Sequence, residues 1–463
     1  MLDWAKLLDT TRMSKLDTAM DASKEVADDF EHRTELERDY DRILFSTPVR
    51  RLADKTQVFP LERNDSVRTR LTHSYEVSNL ARSMGTYLAH NYEPIKSIKD
   101  AARIVPPILA AVGLAHDLGN PPFGHQGENA IQRWFEKHRS GLFEVDNGAD
   151  KSVAEDVTRL SEAMKLDFLR FEGNAQSLRL ISRLQAVTNN RGLNLTFATL
   201  AALMKYPVAS NQRNKTNPAA KKHGFFQSER DVVERVFSVT GLSEGVRHPL
   251  TWLMESCDDI AYSILDAEDA IKKGLVSASD LFAYLEASSP DDGHIKRLVK
   301  YGREKHADGR TLRLSPAELN DSTAQRFRVN VIATAVGAAL KAFMAKYDAI
   351  IAGTLDSDLI AVSDASALIA HLKEFSRVHA YRHSSVLALE LRGYNTIFRL
   401  MDMLWAGISE RESFRTQAQS GPLRLRIMRM VVFRRTIVEL LKNLRELLRT
   451  CQSDIGSLSF LRI

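Results

Sequence analysis

Apolar residues recur at intervals of three and four along most of this chain, the spacing that lines one face of an α-helix. On that pattern we read helices over residues 71–92, 104–117, 176–189, 195–206, 229–240, 248–273, 325–350, 363–379 and 386–406. Strict alternation, the mark of a half-buried strand, is short and rare; Thr311 to Leu314 is one candidate. Asn147 to Arg159 and Ala209 to Gly224 are polar and read as loops, and Ser288 to Gly293 as a break between helices. The basic run from Arg424 to Arg435 and the Leu-rich stretch after it read as an amphipathic helix on a packing or partner face. No internal repeat or long linker interrupts the pattern. The expected fold is mainly α, one helical domain with an α-helical C-terminal extension.

Composition narrows the class without changing it. Apolar residues make up 44% and charged residues 27% of 463, the balance of a soluble globular protein with a large core. The two cysteines, Cys257 and Cys451, are too few for a disulfide framework, which fits a reducing compartment. The first 24 residues are studded with charge and lack the apolar run of a signal peptide. No stretch is expected to reach the roughly 18 apolar residues that span a bilayer, so no membrane partner is expected and the cytoplasm is the default location. The net charge of +5 suits anionic ligands and permits nucleic-acid contact without requiring it.

The chemistry gathers around the adjacent pair His116-Asp117. It offers an imidazole nitrogen and a carboxylate oxygen where an apolar helix meets the Gly/Pro-rich turn Gly119-Asn120-Pro121-Pro122-Phe123-Gly124. Pro106 and Pro107 are read as opening that helix, where a missing amide costs least, and Ile108, Leu109, Val112 and Ala115 as its buried stripe. Upstream, His73 heads a stripe formed with Val77, Leu80, Met84 and Leu88. Taken alone, such a histidine is more often a core residue than a ligand. Downstream, Asp258, Tyr262 and Asp266 stack at spacings of four on a largely apolar helix. Either they form a solvated acidic face, or Asp258 turns inward beside Cys257. Two histidines and two aspartates from three helices suit Mn, Fe, Zn, Ni or Mg alike.

At this point the chain resembles the HD-domain metal phosphohydrolases, and within them the bacterial dGTPase-like deoxynucleoside triphosphate triphosphohydrolases. The resemblance is carried by Glu37 to Ser46, Asp54 to Pro60, Arg68 to Ser74, His116 to Glu128, Phe171 to Gln176, Gly192 to Thr196 and Asp258 to Asp266, with an echo at Leu389 to Tyr394. It implies an HD core over residues 33–280, between an N-terminal helical segment at 1–32 and a helical C-terminal region at 281–463. His73, His116, Asp117 and Asp258 are implied as ligands of a divalent metal ion. Asp258 is chosen over Asp259 because the family's ligand precedes the tyrosine by one helical turn. His125 and Glu128 match the family's catalytic pair. Spacing alone supports a fold-back of His125 over the metal, with Glu128 one turn into the next helix.

For the substrate, the resemblance implies Asn174, Lys205, Tyr206 and Lys222 on a triphosphate and Tyr262 against the sugar. It sets Asp266 and Gln57 on the 3′-hydroxyl, Arg70 on a phosphate or the metal shell, and Glu390 near the base. The implied reaction is hydrolysis of a dNTP to deoxynucleoside and inorganic triphosphate. The family also implies a homo-oligomer, hexamer or tetramer, and single-stranded DNA as an effector. The C-terminal third departs from the family, since its Met-Thr-Asp helix is not found here. Two other readings stay open: an HD enzyme acting on monophosphates or cyclic nucleotides, and a nucleic-acid-binding or regulatory protein.

Overall fold

A computed structural model describes residues 1–16, 32–62, 64–144, 160–185 and 191–409, with side chains to 405. The loop expected at Asn147 to Arg159, the helix expected at Arg424 to Arg435, and Cys451 lie outside these residues. The longer helices are α1 (Glu35–Leu44), α2 (Arg70–Asn91), α3 (Ala101–Ala115), α4 (Gly124–Lys137), α5 (Glu162–Leu169), α6 (Gly173–Arg179) and α7 (Phe197–Leu203). They continue with α8 (Arg230–Thr240), α9 (Pro249–Lys272), α10 (Ala278–Ser288), α11 (Gly293–Thr311), α12 (Pro316–Ala345), α13 (Ser366–Ser376) and α14 (Ser384–Ser409). Isolated bridges Arg12–Thr196 and Thr56–Thr69 are the only β pairing among the described residues. The protein is mainly α.

Residues 1–391 form one compact body, and the chain from Arg392 forms a second. In the second, the described part of α14 stacks Tyr394 on Phe398 at 6.2 Å. Thr396 Oγ1 donates back to the Arg392 carbonyl at 2.9 Å.

Local chemistry sets the helix starts of the larger body. Thr34 and Glu37 close a capping box on α1, and Ser315 and Glu318 close one on α12, which has Pro316 in its first turn. α2 packs along α3, and two glycines allow the close approach. A Cβ on Gly113 would lie 2.8 Å from Ser78 Cα, and one on Gly85 would lie 3.1 Å from Pro106 Cα. Around this pair Val77, Met84, Leu88, Ile108, Leu109 and Val112 are fully buried, which makes a rigid platform for the residues at the helix ends.

Three expectations need correction. α3 begins at Ala101, so Pro106 and Pro107 lie inside the helix rather than at its start. Pro107 cannot donate to the Arg103 carbonyl, and Thr34 Oγ1 donates to that carbonyl instead at 3.4 Å. Thr311 to Leu314 is no strand: Thr311 is the last residue of α11, Leu312 caps it, and Arg313 turns the chain at φ 57°. α12 is also long and apolar enough to cross a membrane by length and composition, against the expectation that no stretch would be. It packs against α9 and α11 and buries Phe327, Val331, Ala335 and Phe343, as a core helix does.

Candidate active site

Four side chains converge where α2, α9 and the C-terminal end of α3 meet. His73 sits one turn into α2, His116 caps α3, Asp117 follows it, and Asp258 lies in the third turn of α9. Donor atoms of His73, His116 and Asp117 all lie within 4.8 Å of one another. Asp258 Oδ1 is 3.2 Å from His73 Nε2 and 3.5 Å from His116 Nε2. The two imidazole rings meet edge to face at 5.5 Å. Asp258 is therefore not part of a solvated face. Its neighbour Asp259 turns to Lys373 at 2.7 Å.

The cluster suits a cation. His116 Nδ1–H donates to the Gly113 carbonyl at 2.7 Å, which leaves the Nε2 lone pair aimed at the carboxylates. That Nε2 is buried and has no hydrogen-bond partner. Burial pushes the His116 imidazole down, yet Asp117 and Asp258 outweigh it and bring the pKa up to about 9. A proton on Nε2 and a metal ion on the same lone pair answer the same negative field. Burial would likewise raise Asp117, but Arg70 and His116 hold it at about 2. Arg70 donates directly to Asp117 Oδ2, and Asn120 Nδ2 donates to Asp117 Oδ1 at 2.6 Å. The donor set fits a divalent metal and does not choose among metals.

The turn after the pair is shaped by backbone approach. A Cβ on Gly119 would fall 2.2 Å from the Gly173 carbonyl oxygen and from Ser177 N, so only glycine lets this turn lie against α6. Phe123 and Gly124 then take φ of 64° and 53° and swing the chain into α4. This delivers His125 to the surface with its side chain 81% exposed, while Glu128 is buried. His125 Nδ1 and Glu128 Oε2 are 3.0 Å apart, and Gly173 N donates to Glu128 Oε1 at 2.9 Å. Burial would raise the Glu128 carboxyl; the hydrogen bond with His125 and the charge of Lys222 bring it below its ordinary value.

On the other side of Asp258 stand the cations. Lys205 Nζ lies 3.4 Å from Asp258 Oδ2 and 3.5 Å from Glu255 Oε1. Burial opposes its charge, but Tyr206, Glu255 and Asp258 hold its pKa well above the ordinary lysine value. Tyr206 is buried beside Lys205 and Arg247. Lys222 and Asn174 both donate to Glu172 Oε1, at 3.0 and 2.8 Å. Tyr262 faces Tyr381 at 5.7 Å, and Tyr381 Oη donates to Asp266 Oδ2. Burial drives the Asp266 carboxyl well above its ordinary range despite that bond, and Asp266 Oδ1 has no partner. Gln57 Oε1 is another buried acceptor without one. Burial raises Glu390, and the nearby His125 opposes that rise.

Sequence reasoning missed several members. Arg247 binds Glu255 and stacks over Trp252 at 4.3 Å. Lys221, not its neighbour, reaches Glu255 at 3.7 Å and Asp358 at 3.3 Å. Lys55 Nζ donates to the carbonyls of Asn120 and Leu118 at 2.7 and 3.3 Å, pinning the turn after the His-Asp pair. Lys55 lay within a motif already quoted for the resemblance. Nothing local flagged Arg247, Asp358 or Tyr381.

The family described as HD domain matches residues 70–184, the stretch that holds His73, His116, Asp117, His125 and Glu128, so this is an HD-domain protein of helical fold. A deoxyguanosinetriphosphate triphosphohydrolase-like protein of Listeria innocua is 39% identical over 405 residues, 87% of this chain and 83% of the relative. A protein of the same description from Synechocystis is 34% identical over 89% of this chain and 88% of its own length. The deoxyguanosinetriphosphate triphosphohydrolase of Yersinia pestis is 33% identical over 81% of this chain and 77% of its own length. The chain belongs to the deoxyguanosinetriphosphate triphosphohydrolase-like family.

Proposed function

We propose that this protein hydrolyses deoxynucleoside triphosphates to deoxynucleoside and inorganic triphosphate, using a divalent metal. One observation carries the reading beyond family membership. Asp258 faces the two histidines with one oxygen and Lys205 with the other, so the metal donors and the first phosphate-binding cation share a single carboxylate. A monophosphate would leave Lys205, Tyr206, Lys222 and Asn174 without a chain of phosphates to hold.

His73, His116, Asp117 and Asp258 would hold a divalent ion, which would supply Lewis-acid chemistry for phosphate hydrolysis. The rest falls to the chain's own groups. Lys205, Tyr206, Lys222 and Asn174 hold the polyphosphate in line, which supplies positioning and charge stabilisation. Arg70 orients Asp117. As water oxygen bonds to the α-phosphorus, the bond to O5′ breaks, O5′ takes a proton, and the attacking water releases one of its own to solvent. His125 gives that proton, and Glu128 keeps its Nδ1 side engaged so that Nε2 faces the reaction. The 3′-hydroxyl donates its one proton to Asp266 Oδ1 or to Gln57 Oε1, both buried acceptors without another partner. The Tyr262 ring, pressed on the sugar, excludes a 2′-hydroxyl.

The test is incubation with each of the four dNTPs and with GTP, in Mn²⁺ or Mg²⁺, with products separated by ion exchange. Deoxynucleoside plus intact triphosphate is expected, without comparable turnover of GTP. Monophosphate plus pyrophosphate, or no product, sinks the proposal.

A further inference from the structure

The N-terminal segment supplies none of the site residues described above, yet its backbone is built into the starts of two site-bearing helices. α7 ends two residues before Lys205. Its first two amides receive no cap from their own neighbourhood. Phe197 N donates to the Thr11 carbonyl at 3.0 Å, and Ala198 N donates to the Asp9 carbonyl at 3.1 Å. The next two amides, of Thr199 and Leu200, bond to Thr196 Oγ1 and to its carbonyl. α9, which bears Asp258, is N-capped by His248, whose Nδ1 accepts from Leu250 N at 3.1 Å. Its Nε2–H is therefore the donor to the Leu7 carbonyl at 3.1 Å. Thr251 Oγ1 ties the two helices together by donating to the Ala202 carbonyl at 2.8 Å.

Arg12 anchors this stitching. Its guanidinium is buried and spends its donors on Asp39 at 2.6 Å, the Glu35 carbonyl at 2.9 Å, the Glu35 carboxylate and the Asn194 carbonyl. Asp39 in turn accepts from Thr196 N at 2.9 Å and Thr196 Oγ1 at 2.7 Å. Arg12, Asp39 and Thr196 thus form one chain that ends at the N-cap of α7. A helix of seven residues has little stability of its own, so its placement depends on such caps. α9, with 24 residues buried along most of its length, does not depend on one end.

We propose that residues 7–12 act as a strap that positions the triphosphate end of the pocket, with Arg12 as the positioning residue that holds α7, and so Lys205 and Tyr206, in place. The proposal rests on the dNTP reading above for its substrate, and its test is separable from that reading. Full-length R12Q and R12K are compared with wild type for kcat, KM and inhibition by inorganic tripolyphosphate and by the deoxynucleoside product. R12Q should raise KM and the tripolyphosphate inhibition constant together, about tenfold, with deoxynucleoside inhibition unchanged. R12K, which keeps the charge, should restore part of that loss. W4F loosens the same segment at the Trp4–Tyr347 hydrogen bond of 2.7 Å and should leave both constants within about twofold of wild type.

A lowered melting temperature in R12Q with unchanged tripolyphosphate inhibition overturns the strap and makes Arg12 a purely structural residue. If R12Q does not fold, R12K decides: a weakened tripolyphosphate constant supports the strap, and an unchanged one overturns it. If wild type turns over no dNTP, the substrate reading fails. Calorimetric titration of wild type and R12K with tripolyphosphate then decides the strap alone.

Discussion

The two halves of the candidate site are built in opposite ways. On the metal side, His73, His116 and Asp258 ride on long helices, and both histidines are buried. On the transfer side, His125 stands after a left-handed turn with most of its side chain in water, and Lys222 and Asn174 lean on Glu172. The first half is assembled before anything binds, and packing holds it. The second is assembled from the first turn of α4, a loop and the short α6 by pairs of opposite charge, which a polyphosphate can take over. Rigid donors and adaptable substrate contacts are a division of labour seen wherever a scaffold supports functional loops.

The strongest way to sharpen that contrast is to break each half separately. H116A should lose bound metal and about a thousandfold or more in activity, read by metal analysis and turnover together. H125A should lose about 10²- to 10⁴-fold in kcat with metal content unchanged. If H125A also loses its metal, the two halves are not independent and the comparison fails. The third test concerns the buried frame. Burial lowers His248 from 6.5 to about 4, so the folded protein binds fewer protons than the unfolded chain between those values. Stability is therefore full above pH 6.5 and falls as the pH drops towards 4, by about 3 kcal/mol from this residue. Denaturant unfolding at pH 7 and pH 5 should show the loss, and H248Q should flatten that part of the slope. Smallest is Y381F, which removes the donor to a buried carboxyl and should cost about 1–2 kcal/mol of stability. Its metal content should stay at the wild-type level; a fall would tie the sugar end to the metal half.

The same contrast governs what could be read without a structure. The stripes of α2, α3 and α9 were legible because each helix buries one face, and His73, His116 and Asp258 lie along or at the ends of those stripes. Asp258 could be told from Asp259 only through the resemblance, although the structure separates them by partner: imidazoles for one, Lys373 for the other. The polar helices α1 and α11 carried too few apolar positions to announce themselves. Tyr381 and Asp266 are 115 residues apart, and Arg12 and Thr196 are further still. Such pairings depend on tertiary packing, which periodicity does not encode. The prolines of α3 misled for a local reason: an internal proline is tolerated when its orphaned carbonyl finds another donor, here Thr34.

The exposure of His125 has a practical side. An imidazole that stands in water while its fellow histidines at the site are sealed is the first that a dissolved acylating reagent meets. Its Nδ1 is engaged by Glu128, so reagent should arrive at Nε2. One covalent label, read by mass spectrometry, would then turn this residue into a gauge of pocket occupancy, shielded in proportion to the nucleotide seated in front of it.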